Sequence, residues 1–246
     1  HATGHLLYSR FWQYFLYDHD LVPEPDYAKK LINQGMILGN SAYIHRLNGS
    51  NTYLSNDLID GKNVQAVHVD VKFVNVNNEL NIKELKKWQS QFLKADFKFE
   101  NKKFYVKREV EKMSKSKYNI VNPDEICDKY GADTLRLYEM FLGPIDQAKP
   151  WNTAGITGTF SFLNKFWNLF HINEEFIVSD DEPTDKAFKI LHKTIKKVSE
   201  DIENFSFNTS VSAFMICVNE LNSLKCNNRL ILKNLCVLLS PFAPQD

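Results

Sequence analysis

Hydrophobic positions change period several times along the chain. Near the start, Leu7, Phe11 and Phe15 recur every four residues with Tyr8 and Trp12 beside them, which predicts a helix over 5–19. Residues 31–38 carry apolar positions around the polar set Asn33-Gln34-Gly35, which reads as a short buried strand interrupted at Gly35. Val67, Val69, Val71 and Phe73 then alternate with His68, Asp70 and Lys72, the period-2 pattern of a half-buried strand. On that pattern His68 and Asp70 form its wet face. Asn48-Gly49 and Asp60-Gly61 are turn signals flanking it. Residues 82–92 fit one amphipathic helix through Leu85 and Trp88. Phe97, Phe99, Phe104 and Val106 suggest two strands about a turn at Asn101.

Helical spacing dominates the second half. Asn122, Pro123 and Glu125 make a helix start, with a cap, a proline in the first turn and a capping-box acid. Gly131 supplies its stop, and Leu135, Tyr138, Phe141 and Leu142 mark a second helix. From Trp151 onward the pattern reads as helical throughout. Four apolar stripes follow: Phe162–Phe166–Phe170, Phe188–Ile195–Ile202, Val211–Val218 behind Asn208 and Thr209 as caps, and Ile231–Leu238. Four such stripes predict an antiparallel bundle.

Composition narrows the functional classes. The chain has 246 residues, 43% of them hydrophobic, enough for one or two domains with real cores. Lysine and arginine balance aspartate and glutamate, 30 against 30, so any nucleic-acid contact must be local. Cys127, Cys217, Cys226 and Cys236 show no metal-site spacing and read as reduced core thiols; no protein-bound zinc is expected. No apolar run reaches transmembrane length, and cytoplasmic localisation without a membrane partner is expected. The chain opens on His1 within a motif and ends just beyond Pro244, which reads as a piece of a larger protein.

Lys112-Met113-Ser114-Lys115-Ser116 carries the chemistry. Lysine is a compact cation on a flexible stem, able to follow a moving phosphate. The serines add small hydroxyl donors, and Met113 can anchor the loop on an apolar surface or a base. By composition alone such a run is most often a solvated loop. Its context argues otherwise. The pentapeptide, the following Lys117-Tyr118-Asn119-Ile120-Val121-Asn122-Pro123 and the later Tyr130-Gly131-Ala132-Asp133-Thr134-Leu135-Arg136-Leu137 resemble class I aminoacyl-tRNA synthetases. His1-Ala2-Thr3-Gly4-His5-Leu6-Leu7-Tyr8 and Asn33-Gln34-Gly35-Met36 are similar to the leucyl-tRNA synthetase branch. Met140-Phe141-Leu142-Gly143-Pro144 and Ser240-Pro241-Phe242-Ala243-Pro244 extend the resemblance over most of the chain, residues 46–106 excepted.

That resemblance implies an α/β plus all-α organisation. Residues 1–45 and 107–149 would form the second half of a class I Rossmann-like nucleotide-binding fold, with helices that contact the tRNA stem. Residues 46–106 would be a small α+β insertion with ends close together near Tyr43 and Lys107, removable without loss of adenylate formation. Residues 150–246 would begin an anticodon-binding helical bundle. The implied reaction is leucine activation by ATP, with Mg²⁺ accompanying the nucleotide, followed by transfer to tRNA(Leu). Lys115 and Lys112 are the implied catalytic lysines. Met113, Ser114, Ser116, Gln34, Gly35 and Met36 border the ATP site, and His1 and His5 the leucine and adenylate pocket. The second class I signature and an acid that precedes His1 in the family are not found in this sequence. The piece alone is therefore expected to be inactive and its parent to be a monomer. Alternatives are a valyl- or isoleucyl-tRNA synthetase piece, or a non-catalytic synthetase-like RNA-binding protein. The leucyl-type opening at His1 and His5 separates the first from the main reading.

Overall fold

A computed structural model describes residues 2–245, the side chain of Ala2 excepted. Contacts divide the chain into His1–Gln34 and Gly35–Asp246. In the first unit, helix α1 (Ala2–Asp18) matches the predicted helix. It turns back at Asp20, which has φ 57°. The returning irregular segment lies on the polar side of α1. Ser9 Oγ meets Tyr27 OH at 2.7 Å, Arg10 pairs with Asp26 at 3.0 Å, and Gln13 donates to the Glu24 carbonyl at 2.8 Å. The apolar stripe of this helix is exposed, Leu7 at 68% and Phe11 at 64%. Its rings pack edge to face on one another, Trp12 against Phe15 at 5.5 Å.

The second unit is built on β1 (Ile37–Leu47). The strand expected at 31–38 thus begins at its end and runs nine residues beyond it. Next come β2 (Thr52–Leu54), β3 (Val64–Val69), α2 (Ile82–Trp88), α3 (Ser90–Leu93), β4 (Asp96–Lys98) and β5 (Lys107–Lys112). On one side β1 pairs antiparallel with β5 over 38–43 and then with β2. On the other it meets β3 over 42–47. β4 lies parallel to β2 at the edge. The predicted strand at 67–73 stops at Val69, because Asp70 caps a 3₁₀ turn by accepting from Lys72 N. The single helix expected over 82–92 is broken at Gln89, which takes extended geometry. Both predicted glycine turns occur with positive φ, 74° at Gly49 and 69° at Gly61.

Tyr43 and Lys107 are direct cross-strand partners, so the ends of the 46–106 segment do meet. The segment nonetheless shares its core with β1. Ala42 and Ile44 are buried among Tyr53, Val69, Leu85, Phe92, Phe97 and Phe104. Alternation explains this: Ala42 and Ile44 face that core, while Gly39, Ser41 and Tyr43 face the other way.

Beyond β5 lie α4 (Pro123–Tyr130), α5 (Ala132–Phe141) and the short β6 (Lys149–Pro150), which runs parallel to the start of β1. Asn122 caps α4 through Asp124 N with Pro123 in its first turn, and Gly131, at φ 86°, separates it from α5. Then come α6 (Ile156–Trp167), β7 (His171–Ile172), β8 (Glu175–Phe176), α7 (Asp185–Glu203), α8 (Phe207–Ser223) and α9 (Arg229–Leu239). The β7–β8 hairpin interrupts the stretch expected to be helical throughout. Left-handed Asn173 and Glu174, at φ 48° and 68°, make its turn. Asn208 and Thr209 lie inside α8 rather than capping it, since Ser206 is the N-cap. The four stripes do form one core, with Phe214, Leu221, Ile231 and Leu235 fully buried. Arg136 on α5 donates to the carbonyls of Pro241 and Phe242, tying α5 to the end of the bundle.

Candidate functional site

The Lys112–Ser116 loop leaves the end of β5 beside β1. Gly39, opposite Glu111 across the strands, lets it in. A Cβ at Gly39 would stand 2.4 Å from the Asn119 carbonyl and 3.0 Å from Met113 Cγ. Met113 is half-buried against the cluster of Ile126, Tyr138, Trp151 and Ile156, which α4, α5, α6 and the residue after β6 assemble. Fully burying a methionine side chain is worth about 1.5–3 kcal/mol, and half-burial correspondingly less. Met113 thus packs on an apolar surface of the protein itself. Tyr138 braces the same floor through its hydroxyl, 2.5 Å from the Asn152 carbonyl.

Asn119 is buried and ties the loop's base together. Its Oδ1 accepts from Ser114 N at 2.9 Å, while Nδ2 donates to Ser41 Oγ at 2.8 Å and to the Lys112 carbonyl at 3.3 Å. Between these anchors the chain makes a 3₁₀ turn, Lys115–Lys117, which ends on Tyr118 at φ 50°. Ser114 and Ser116 hydroxyls touch at 2.9 Å, which shapes the apex. Lys112, Lys115 and Ser116 are exposed. Among the described residues neither Lys112 nor Lys115 forms an ion pair. Two lysines and two hydroxyls displayed from a braced base form a donor set suited to phosphate.

Lys117 behaves differently. Its Nζ is in direct contact with Glu111 Oε2. Oε1 of the same carboxylate accepts from Tyr43 OH at 2.5 Å and meets His68 Nε2 at 3.0 Å. Register produces this meeting. Tyr43 is opposite His68 on β3 and Gly39 is opposite Glu111 on β5, so all share the face that carries the loop. The Lys117 bond first, then those of Ser41 and Tyr43, hold the Glu111 carboxyl well below the usual range. Burial, with the bond to that carboxylate, pushes the Tyr43 phenol up to about 12. His68 is thus not a wet-face residue: its ring lies on Tyr43 with centroids 4.4 Å apart. The 46–106 segment also grips the loop's exit. Trp88 meets the Tyr118 ring edge-on at 4.6 Å, Gln89 donates to its hydroxyl at 3.2 Å, and Val71 N donates to its carbonyl at 3.3 Å.

The remaining sequence candidates sit elsewhere. Gly35 N donates to the Ile145 carbonyl at 2.8 Å, and a Cβ there would stand 1.9 Å from the Gln147 carbonyl oxygen. Its missing side chain thus admits the backbone of Gln147 and Ala148. Met36 accepts from Lys149 N at 2.9 Å and exposes its side chain. Gln34 is exposed in the first unit, as is His5 on α1; His1 lies outside the described residues. Sequence reasoning missed Ser41, Tyr43, His68, Glu111 and Lys117 as partners of the loop. Lys117 and Asn119 alone had a signal, their place in the motif that follows the pentapeptide.

Residues 101–151 match the model of class I tRNA synthetases for isoleucine, leucine, methionine and valine, and residues 186–245 that of the anticodon-binding domain of tRNA ligases. The chain is also similar over 99% of its length to a crystallised synthetase of Agrobacterium radiobacter K84, LeuRS in a ternary complex with tRNA and LeuAMS. The TM-score is 0.59 at 24% identity, with 25% of that chain covered. With the braced lysine loop on the α/β half and the bundle behind it, the chain is similar over residues 101–151 and 186–245 to the class I aminoacyl-tRNA synthetases.

Within that class its similarity is to the leucine–tRNA ligases. It is 62% identical over 244 residues to that of Christiangramia forsetii and 63% identical over 245 residues to that of Flavobacterium johnsoniae, each match covering 99% of this chain. The chain spans about a quarter of the length of these relatives, 25% and 26%.

Proposed function

We propose that this chain is the signature-loop portion of a leucine–tRNA ligase, whose whole activates leucine with ATP and charges tRNA(Leu). The observation that carries the reading is the loop itself, two exposed lysines on a rigid base, in a chain 62–63% identical to leucine–tRNA ligases. Leucine's carboxylate attacks the α-phosphorus, pyrophosphate leaves, and the adenylate then passes its leucyl group to the terminal ribose of the tRNA. Neither step needs a protein nucleophile. Positioning and stabilisation of phosphate charge supply the catalysis.

Lys115, at the exposed apex, is assigned to the departing β/γ-phosphates, with Lys112 assisting from the end of β5. Ser114 and Ser116 shape the loop by their mutual bond. Met113 serves as the floor anchor. Gln34 and Met36 are assigned to the border of the nucleotide site, and Gly35 acts there by letting two backbones pass. His5 and His1 are assigned to the leucine and adenylate pocket, which the opening motif and the exposure of His5 support. Mg²⁺ enters with ATP, since lysines and hydroxyls make a donor set for phosphate and not for a divalent cation.

The 46–106 segment and the helices from 150 onward are assigned to the insertion and to the start of the anticodon-binding bundle. A cytoplasmic monomer is the simplest form of the whole; among the described residues no helix is long and apolar enough to cross a membrane. Because the chain spans a quarter of its relatives, the 246 residues alone should not form adenylate.

Amino-acid-dependent pyrophosphate exchange on the full-length protein tests the reading. Leucine should support exchange best. Faster exchange with valine, isoleucine or methionine would overturn it.

A further inference from the structure

We propose that Glu111 is a positioning residue for the signature loop: its carboxylate, seated on β1 and β3, clasps Lys117 and so sets where Lys115 stands. The inference rests on the reading of this loop as the phosphate-binding element.

A carboxylate beside a phosphate site is at first sight misplaced, because it repels the substrate. Its surroundings resolve this. Oε2 takes Lys117, and Oε1 takes Tyr43 and His68. Ser41, whose hydroxyl also lies on this carboxylate, joins it to Asn119. The Glu111 charge is thus consumed by fixed donors, and Lys117 is occupied rather than offered to phosphate. Side-chain exposures of 20% for Glu111 and 32% for Lys117 remove the pair from the class of solvated surface ion pairs, which contribute little.

The two anchors divide the loop. Asn119 holds its entry at Lys112 and Ser114. Glu111 holds its exit at Lys117. What is left between them is the apex of Lys115 and Ser116, both exposed. A short apex between two fixed ends can move only as a hinged flap, which is what a lysine following a departing phosphate requires. Lys117 therefore does not act as a third phosphate ligand.

The test uses the full-length synthetase carrying this chain, in leucine-dependent pyrophosphate exchange and in timed trypsin digestion with cut sites read by mass spectrometry. Glu111→Gln and Lys117→Met should each lower kcat by about 10- to 100-fold, the effect of losing one charge-assisted bond. Leucine KM should stay within about twofold, since positioning of phosphate and not leucine binding is disturbed. The double variant should be no worse than the worse single, because both remove one interaction. Lys117→Arg, which keeps the charge, should regain most of the loss. Cleavage after Lys115 should accelerate in each single variant and no further in the double.

Multiplicative losses in the double variant, or an unchanged kcat in Glu111→Gln, would overturn the clasp. A wild-type enzyme without leucine-dependent exchange would overturn the functional reading instead, and the trypsin arm would still decide the clasp. Lys117→Met leaves Glu111 bonded to Tyr43 and His68, so that variant keeps its fold and remains informative.

Discussion

Replacing Asn119 by alanine isolates the entry anchor of the loop. The side chain is 2% exposed and makes bonds of 2.9 Å to Ser114 N, 2.8 Å to Ser41 Oγ and 3.3 Å to the Lys112 carbonyl. The last is long and counts for little. Each of the first two is worth about 0.5–1.5 kcal/mol net. Removal also leaves the Ser114 amide without its acceptor, while the Ser41 hydroxyl can still turn to Glu111. The sum is about 2 kcal/mol in favour of the opened loop, or about 30-fold in its population. Trypsin reports this directly, because cleavage follows the open population when reclosing is fast. Cuts after Lys117 should appear about 30-fold faster in Asn119→Ala than in the parent. Asn119→Asp should be at least as damaging: it keeps the acceptor for Ser114 N, loses both Nδ2 bonds and adds a charge near Glu111. Cleavage of Asn119→Ala within about threefold of the parent would refute the account, since it would mean less than about 1 kcal/mol at this site.

Lys115→Ala should lower kcat of pyrophosphate exchange by about 30- to 1000-fold with leucine KM little changed, and Lys112→Ala should do less; unchanged kcat would place Lys115 outside the phosphate site. Gly35→Ala should reduce folded yield and melting temperature, because its Cβ would lie 1.9 Å from a carbonyl oxygen, whereas Gly4→Ala, with nothing within 4 Å, should not. Glu111 binds its proton less readily folded than unfolded. Its stabilising share is therefore complete above its ordinary value of 4.5 and is lost as pH falls below it towards the depressed folded value, so the melting-temperature gap between the parent and Glu111→Gln should close in that range. Excising residues 46–106 behind a short linker should abolish exchange, since it removes His68 from Glu111 and Trp88 and Gln89 from Tyr118; exchange at the parental rate would show that the segment is dispensable.

Local signals were legible wherever one face decided the outcome. The bundle stripes each bury a single side, so their 3.6-residue period survives in the sequence. The Asn122–Pro123 start and Gly131 stop of α4 are likewise local chemistry. β1 was the element least visible, for the opposite reason. Gly39, Ser41 and Tyr43 serve the loop while Ala42 and Ile44 serve a core, so polar and apolar residues fall on faces that are both partly buried. The pattern then contains no clean alternation to read. The hairpin within the supposed all-helical region escaped because it is four strand residues held by two left-handed ones. His68 was misread on sound local logic. It does alternate with the buried valines, but the face it points to is covered by Tyr43 and Glu111, residues 25 positions before it and 43 after it. Only the register of three strands brings them together.

That register also explains why the segment that lacks a recognisable motif is still bound to the site. A strand buried on one face can hold a loop or a core, and β1 holds both. Sliding it by one residue against β5 would exchange Ser41 for Ala42 beneath the loop and bury Ser41 in the apolar cluster. The core of the 46–106 segment therefore holds the strand in the register that the loop requires. The loop's exit adds a second constraint, since Tyr118 takes its left-handed turn between Trp88, Gln89 and Val71. The lysine apex is consequently held from two directions, by a cluster of α-helices under Met113 and by the sheet-borne segment beside Lys117 and Tyr118. Between those anchors stand Lys115 and Ser116, both exposed, the residues that the proposed phosphate chemistry would move.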